Sequence, residues 1–219
     1  TGAGLVRIAA GKAAPAFRLG EPGLIIDEEP LSELLNDHRR RTWICGPGLL
    51  PEEVERAFPQ LVFADRQILA DAGAFSWAAG APDRLRGAAV LTPHGGEFAR
   101  VFGALGSDPL AAVRSAARRV NAVVVLKGAT SVIASPDGRV APNTHATPAL
   151  GPAGSGDTLT GTIGALPAAG LEPRAAACAG VWPPGAASLP AGTSPVARDP
   201  ARHLCQAPDR PPAPPRGPS

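Results

Sequence analysis

The run Ala122-Val123-Val124-Val125-Leu126 has no polar face, and it stops abruptly at Lys127-Gly128. A strand of this kind must be covered on both sides, which a parallel sheet flanked by helices provides and a one-sided antiparallel sheet does not. Similar short apolar runs recur at Leu5 to Ala9, Thr42 to Cys45, Leu61 to Ala64, Ala88 to Leu91 and Val132 to Ala134. Between and after them lie stretches with helical patterning: Leu31 to Arg40, Pro51 to Phe58, Gln67 to Ala79, Gly96 to Phe102, Asp108 to Val120, Asp157 to Ala169 and Arg174 to Ala187. Each parallel crossover needs a helix to return the chain, so the alternation predicts an α/β fold. Its form is a three-layer α/β/α sandwich around a central, mostly parallel sheet.

Two helix starts are marked by chemistry. Pro51 with Glu52 and Glu53 sets φ and places negative charge in a first turn, and Ser107-Asp108-Pro109 adds a capping side chain. Pro167 lies inside an expected helix and should kink or end it. From Pro183 to Pro218 there are eleven prolines, and the patterning fades. Residues 1–205 are therefore expected to form one domain and residues 206–219 a Pro-rich tail without fixed structure.

Composition narrows the function classes. The 219 residues carry 21 basic against 19 acidic side chains, and the longest basic run is Arg39-Arg40-Arg41, so no nucleic-acid partner is expected. Three widely spaced cysteines, Cys45, Cys178 and Cys205, form no metal-ligand pattern and fit a reducing, cytoplasmic compartment. No run of eighteen apolar residues occurs, and Thr1 to Ala10 carry no basic segment followed by a long apolar one, so neither a membrane span nor a signal peptide is expected. Methionine is absent, so Thr1 is not expected to be a translation start and a further segment is expected upstream. Only Lys12 and Lys127 are lysines in an arginine-rich chain, so a lysine here stands against the compositional bias.

Three segments can carry chemistry. Ala153-Gly154-Ser155-Gly156-Asp157 leads into an apolar helical stretch. Glycines let backbone amides crowd together, and the helix that follows adds free N–H groups and a positive dipole end, a combination that holds phosphate. Asp157 would then accept a proton from a substrate hydroxyl or help place Mg²⁺; the plainer alternative is an Asp that only caps the helix. Thr92-Pro93-His94-Gly95-Gly96-Glu97 follows an expected strand, where open α/β sheets place ligands, although His94 could equally be a loop histidine with no task. Lys127 at the end of the valine strand suits a phosphate, and an ordinary surface lysine is the competing reading.

Together the segments Thr92 to Glu97, Val123 to Gly138 and Ala153 to Gly161 resemble the ADP-dependent NAD(P)H-hydrate dehydratases of the ribokinase-like superfamily. Gly2 to Ala9 and Cys45-Gly46-Pro47-Gly48-Leu49 resemble family segments as well. The resemblance implies a ribokinase-like sandwich and a lyase that restores NADH and NADPH from their hydrates, NADHX and NADPHX. It also implies ADP, or ATP in some relatives, together with Mg²⁺. Carried over by position, Gly48, His94 and Asp157 would contact the hydrated dinucleotide, with Asp157 the catalytic carboxylate. Glu97 would support His94 or a metal-bound water. Lys127, Gly128, Ala129, Thr130 and Ser131, with Gly154, Ser155 and Gly156, would hold the adenine nucleotide; no residue is assigned as a metal ligand. A homo-oligomer is implied, as is an upstream strand, glycine-rich turn and helix, with an epimerase domain a further upstream candidate. Two segments differ from the family pattern. Asp65 follows the expected strand Leu61 to Ala64 where Asp-Ala-Asp is usual, and Pro183-Pro184-Gly185 replaces Leu-His-Gly and should stop its helix early. The rival readings are a ribokinase-like small-molecule kinase and a nucleotide-binding protein without turnover.

Overall fold

The computed structural model describes residues 3, 5–19, 24–128, 130–143 and 155–187. The chain opens with a small parallel pair, β1 (Arg7–Ala9) and β2 (Ile25–Asp27), joined through a short 3₁₀ turn and helix α1 (Ala14–Arg18). After α2 (Leu31–Leu34) come the six strands of the main sheet: β3 (Thr42–Cys45), β4 (Gln67–Ala70), β5 (Ala88–Leu91), β6 (Val123–Leu126), β7 (Ser131–Ala134) and β8 (Val140–Asn143). They lie side by side in that order. The first four are parallel, and β7 and β8 add antiparallel strands at one edge. Pro142 is tolerated in β8 because that strand ends the sheet.

Helices cover both faces. On one side lie α3 (Pro51–Phe63), α4 (Gly73–Trp77), α5 (Gly95–Phe102) and α6 (Pro109–Val120), and on the other α7 (Ser155–Ala168) and α8 (Pro173–Ala187). The β6 valines show why the run must be wholly apolar: Val124 and Leu126 join the core under α3 to α6, while Val123 and Val125 join the one under α7 and α8. Phe58, Phe75 and Phe98 are fully enclosed on the first side, and burial of such a side chain contributes about 1.5–3 kcal/mol. On the second side small residues permit close approach. A Cβ on Gly164 would meet Ile44 Cδ1 at 3.0 Å, and one on Gly180 would meet Ile163 Cγ1 at 2.7 Å.

The three-layer, mostly parallel sandwich agrees with the sequence expectation, and β3 and β5 fall where the apolar runs placed them. Four local expectations need correction. Leu61 to Ala64 is no strand, because α3 continues through Pro59 to Phe63; Val54, Phe58 and Leu61 recur at helical spacing and are buried, whereas Phe63 is 95% exposed. The expected helix from Gln67 begins instead as strand β4, its Ile68-Leu69-Ala70 buried on both faces, and α4 occupies only its middle. Helix α2 ends at Leu34, not Arg40. Helix α8 runs through Pro183 and Pro184 to Ala187 and does not stop early. Pro167 sits one residue before the end of α7, where Gly170 at φ +98° turns the chain and its N–H reaches the Pro167 carbonyl at 2.9 Å. The tail at 206–219 lies outside the described residues.

Candidate active site

The parallel ladder extends one step past the end of each strand, and those extra residues build the site. Asp71 N–H donates to the Cys45 carbonyl at 3.1 Å, Thr92 N–H to Ala70 at 3.1 Å, and Lys127 N–H to Pro93 at 2.8 Å. His94 and Lys127 pair as an isolated parallel bridge. Glycine-rich turn, buried acid, histidine turn and lysine therefore stand in register along the C-terminal edge of the sheet, where open α/β sheets bind ligands.

Backbone fits directly on backbone at the β3 and β4 ends. A Cβ on Gly46 (φ +126°) would lie 1.8 Å from the Asp71 carbonyl oxygen, and one on Gly73 would lie 2.2 Å from that of Leu49. Ala72 is held at φ +46° between them. Gly48 (φ +72°) differs, since a Cβ there would face open space. Its glycine is required by conformation, and among the described residues nothing lies within 4 Å of where that Cβ would stand.

His94 and Glu97 cap helix α5 reciprocally. The His94 ring Nδ1 accepts from the N–H groups of Gly96 at 3.0 Å and Glu97 at 3.3 Å, and Glu97 Oε2 accepts from the His94 N–H at 2.8 Å. An accepting Nδ1 puts the ring proton on Nε2, which lies 3.5 Å from Glu97 Oε1. Glu97 is buried, whereas more than half of the His94 side chain is exposed.

Lys127 joins these turns to helix α7. Its ammonium lies 2.7 Å from Asp71 Oδ1 and 3.8 Å from Glu97 Oε2. A Cβ on Gly156, in the first turn of α7, would be 3.3 Å from the same nitrogen. Thr160, one turn further on, donates from Oγ1 to Asp71 Oδ2 at 2.7 Å, and its hydroxyl lies 3.1 Å from that of Thr92. Asp157 occupies the same first turn of α7 and is exposed. Buried Cys45 beside this cluster is no nucleophile: loss of solvent pushes its thiol up to about 11.

The expected site residues thus divide. His94, Glu97, Lys127 and Gly156 form one connected group, with Asp157 next in chain to Gly156. Gly128 and Thr130 are exposed in the turn after β6, but Ser131 opens β7 opposite Asn143 and is 5% exposed, so its side chain faces the interior. Ser155 begins α7; Ala129 and Gly154 lie outside the described residues. Among the described residues no group of three or more His, Cys, Asp and Glu could hold a metal ion. Mg²⁺ generally enters such sites on nucleotide phosphates. Asp71 and Thr160 escaped the sequence reading. The available signal was Ile68-Leu69-Ala70 running straight into Asp71-Ala72-Gly73, an apolar strand ending in an acid and a turn.

A family model described as NAD(P)H-hydrate dehydratase matches residues 1–208. The ADP-dependent (S)-NAD(P)H-hydrate dehydratase of Xanthomonas campestris is 35% identical over 206 residues, covering 83% of this chain and 68% of its own. The bifunctional NAD(P)H-hydrate repair enzyme of Thermosynechococcus vestitus is 45% identical over 142 residues, 63% of this chain but only 28% of the relative's length. Among solved structures, the ADP/ATP-dependent NAD(P)H-hydrate dehydratase of Bacillus subtilis, co-crystallised with ATP and Mg²⁺ and soaked with CoA, superposes with a TM-score of 0.76. It is 27% identical, and the match covers 94% of this chain and 81% of that one.

Proposed function

Because the chain belongs to the NAD(P)H-hydrate dehydratase family, we propose that it removes water from the hydrated nicotinamide ring of NADHX and NADPHX at the expense of ADP. The observation that carries this reading is the meeting, at one end of the sheet, of a helix N-terminus (Gly156), an ammonium (Lys127) and a histidine turn (His94). The first two suit the phosphate end of a nucleotide; the exposed His94 ring and the open space before Gly48 suit the dinucleotide. Asp157, beside Gly156, is the proton acceptor in this reading.

A ring hydroxyl leaves poorly. Its oxygen takes the terminal phosphoryl group of ADP while its proton passes to the Asp157 carboxylate, and AMP departs. The ring nitrogen's lone pair then expels phosphate, and loss of a proton from the adjacent carbon restores the double bond. Lys127 and the α7 amides offset the charge on the phosphoryl oxygens. Mg²⁺ would supply further charge neutralisation and would arrive with the nucleotide. The reading further includes a cytoplasmic site of action, a homo-oligomer and an upstream epimerase segment; the chain spans 20% to 30% of the length of the bifunctional relatives it matches.

The test mixes protein, hydrated NADH, Mg²⁺ and ADP and follows recovery of the reduced-nicotinamide absorbance, with ADP omitted in the control. Recovery only with nucleotide is expected. Nucleotide-dependent thermal stabilisation without recovery would leave a binding protein without turnover.

A further inference from the structure

Asp71 is the best-connected side chain in the site and has no part in the reaction as written above. It is 1% exposed. Its carboxylate accepts from three donors on three separate elements: the Ala72 N–H in its own turn at 2.9 Å, Lys127 Nζ at the end of β6 at 2.7 Å, and Thr160 Oγ1 in α7 at 2.7 Å. We propose that Asp71 is a positioning residue that holds the Lys127 ammonium against the first turn of α7 and so fixes where a nucleotide's phosphate end is gripped. The inference rests on the nucleotide site proposed above and adds to it a residue and a role.

An ammonium beside a helix N-terminus meets like charge, since the free amides there carry partial positive charge. Left alone, the flexible lysine would swing into solvent. A buried carboxylate on the opposite side of the nitrogen holds it in place, and Thr160 ties that carboxylate to the same helix. The Gly46 and Gly73 contacts fix the turn that carries Asp71. Glu97, at 3.8 Å, is too distant for a hydrogen bond to the ammonium in this geometry.

The test is a double-mutant cycle read by calorimetric binding of ADP to the full chain. Asp71→Asn, nearly isosteric, is expected to weaken ADP binding about tenfold, and Lys127→Met at least as much. The double variant is expected to bind no more weakly than Lys127→Met alone, because Asp71 acts through the lysine. Thr160→Val, which leaves both charges in place, is expected to give a smaller loss of about two- to threefold and keeps the cycle readable should Asp71→Asn fold poorly. Unchanged or tighter ADP binding in Asp71→Asn overturns the proposal, since simple removal of a negative charge near a phosphate would tighten it. Additive losses overturn it too. If wild-type protein binds ADP but does not restore NADH, the reaction proposed above fails while the cycle still decides the role of Asp71. A wild-type protein that binds no ADP overturns both.

Discussion

Asp157 and Asp71 stand on neighbouring elements, and the roles proposed for them predict different variants. Asp157 is exposed at the start of α7, so Asp157→Asn should leave the melting temperature and ADP affinity near wild type while lowering kcat by about a hundredfold or more. Near-normal turnover in that variant would remove its assigned role. The opposite profile is expected at Gly46, where an added methyl group would collide with the Asp71 carbonyl. Gly46→Ala should cost about 3 kcal/mol or more in urea denaturation. Sequence reasoning found Asp157 because a Gly-Ser-Gly-Asp run is visible by itself. It missed Asp71 because Gln67 to Ala79 reads as helix, which hides the strand end that the acid follows, and because its partners Lys127 and Thr160 lie 56 and 89 positions away. Gly46 was visible as a glycine, but its contact with a second turn was not.

Helix α5 shows how a capping demand can account for part of a motif. His94 caps the helix through Nδ1 and Glu97 returns the bond, so part of the His-Gly-Gly-Glu pattern is demanded by the fold whatever the ligand. His94→Ala should lose about 1 kcal/mol of stability, whereas His94→Asn, which keeps a capping oxygen, should restore most of it. If His94 also contacts the hydrate, His94→Asn will regain the melting temperature without regaining KM for the hydrate; recovery of both would reduce His94 to a cap. The elements that the sequence defined best have strong local signals. Asp108 does cap α6, through a 2.9 Å bond from the Ala111 N–H, and Asn121 closes it in the left-handed conformation. The misplaced β4 lacked such signals. Its three apolar residues run into Ala-rich sequence of high helix propensity, while Val62 and Phe63, which looked like strand, lie on the exposed side of α3.

For the molecule as a whole, the layered architecture was legible because β6 has no polar side to expose, and a chain that must bury it twice has few alternatives. The small β1–β2 unit was less so, since β2 is three residues long and is fixed by ions. Asp27, 3% exposed, accepts from Arg7, and from Arg40 at 2.7 Å just ahead of β3. The bond from Arg7, followed by that from Arg40, holds its carboxyl below the usual carboxylate range. A carboxylate with a lowered folded-state pKa contributes stability above its unfolded value, about 3.9, and loses it as pH falls through the folded one. Wild type should therefore exceed Asp27→Asn in urea midpoint at pH 7, with the gap closing toward pH 3. A gap that persists in acid would assign the difference to packing.

Lys12 is exposed, whereas the only other amine-bearing side chain in the sequence is 17% exposed and held by Asp71. Among the side-chain amines an acylating reagent therefore meets one fast target and one slow one, the first serving as an internal clock for the second. Mass spectrometry of two peptides would then report occupancy of the C-terminal sheet edge without any label being engineered into the protein.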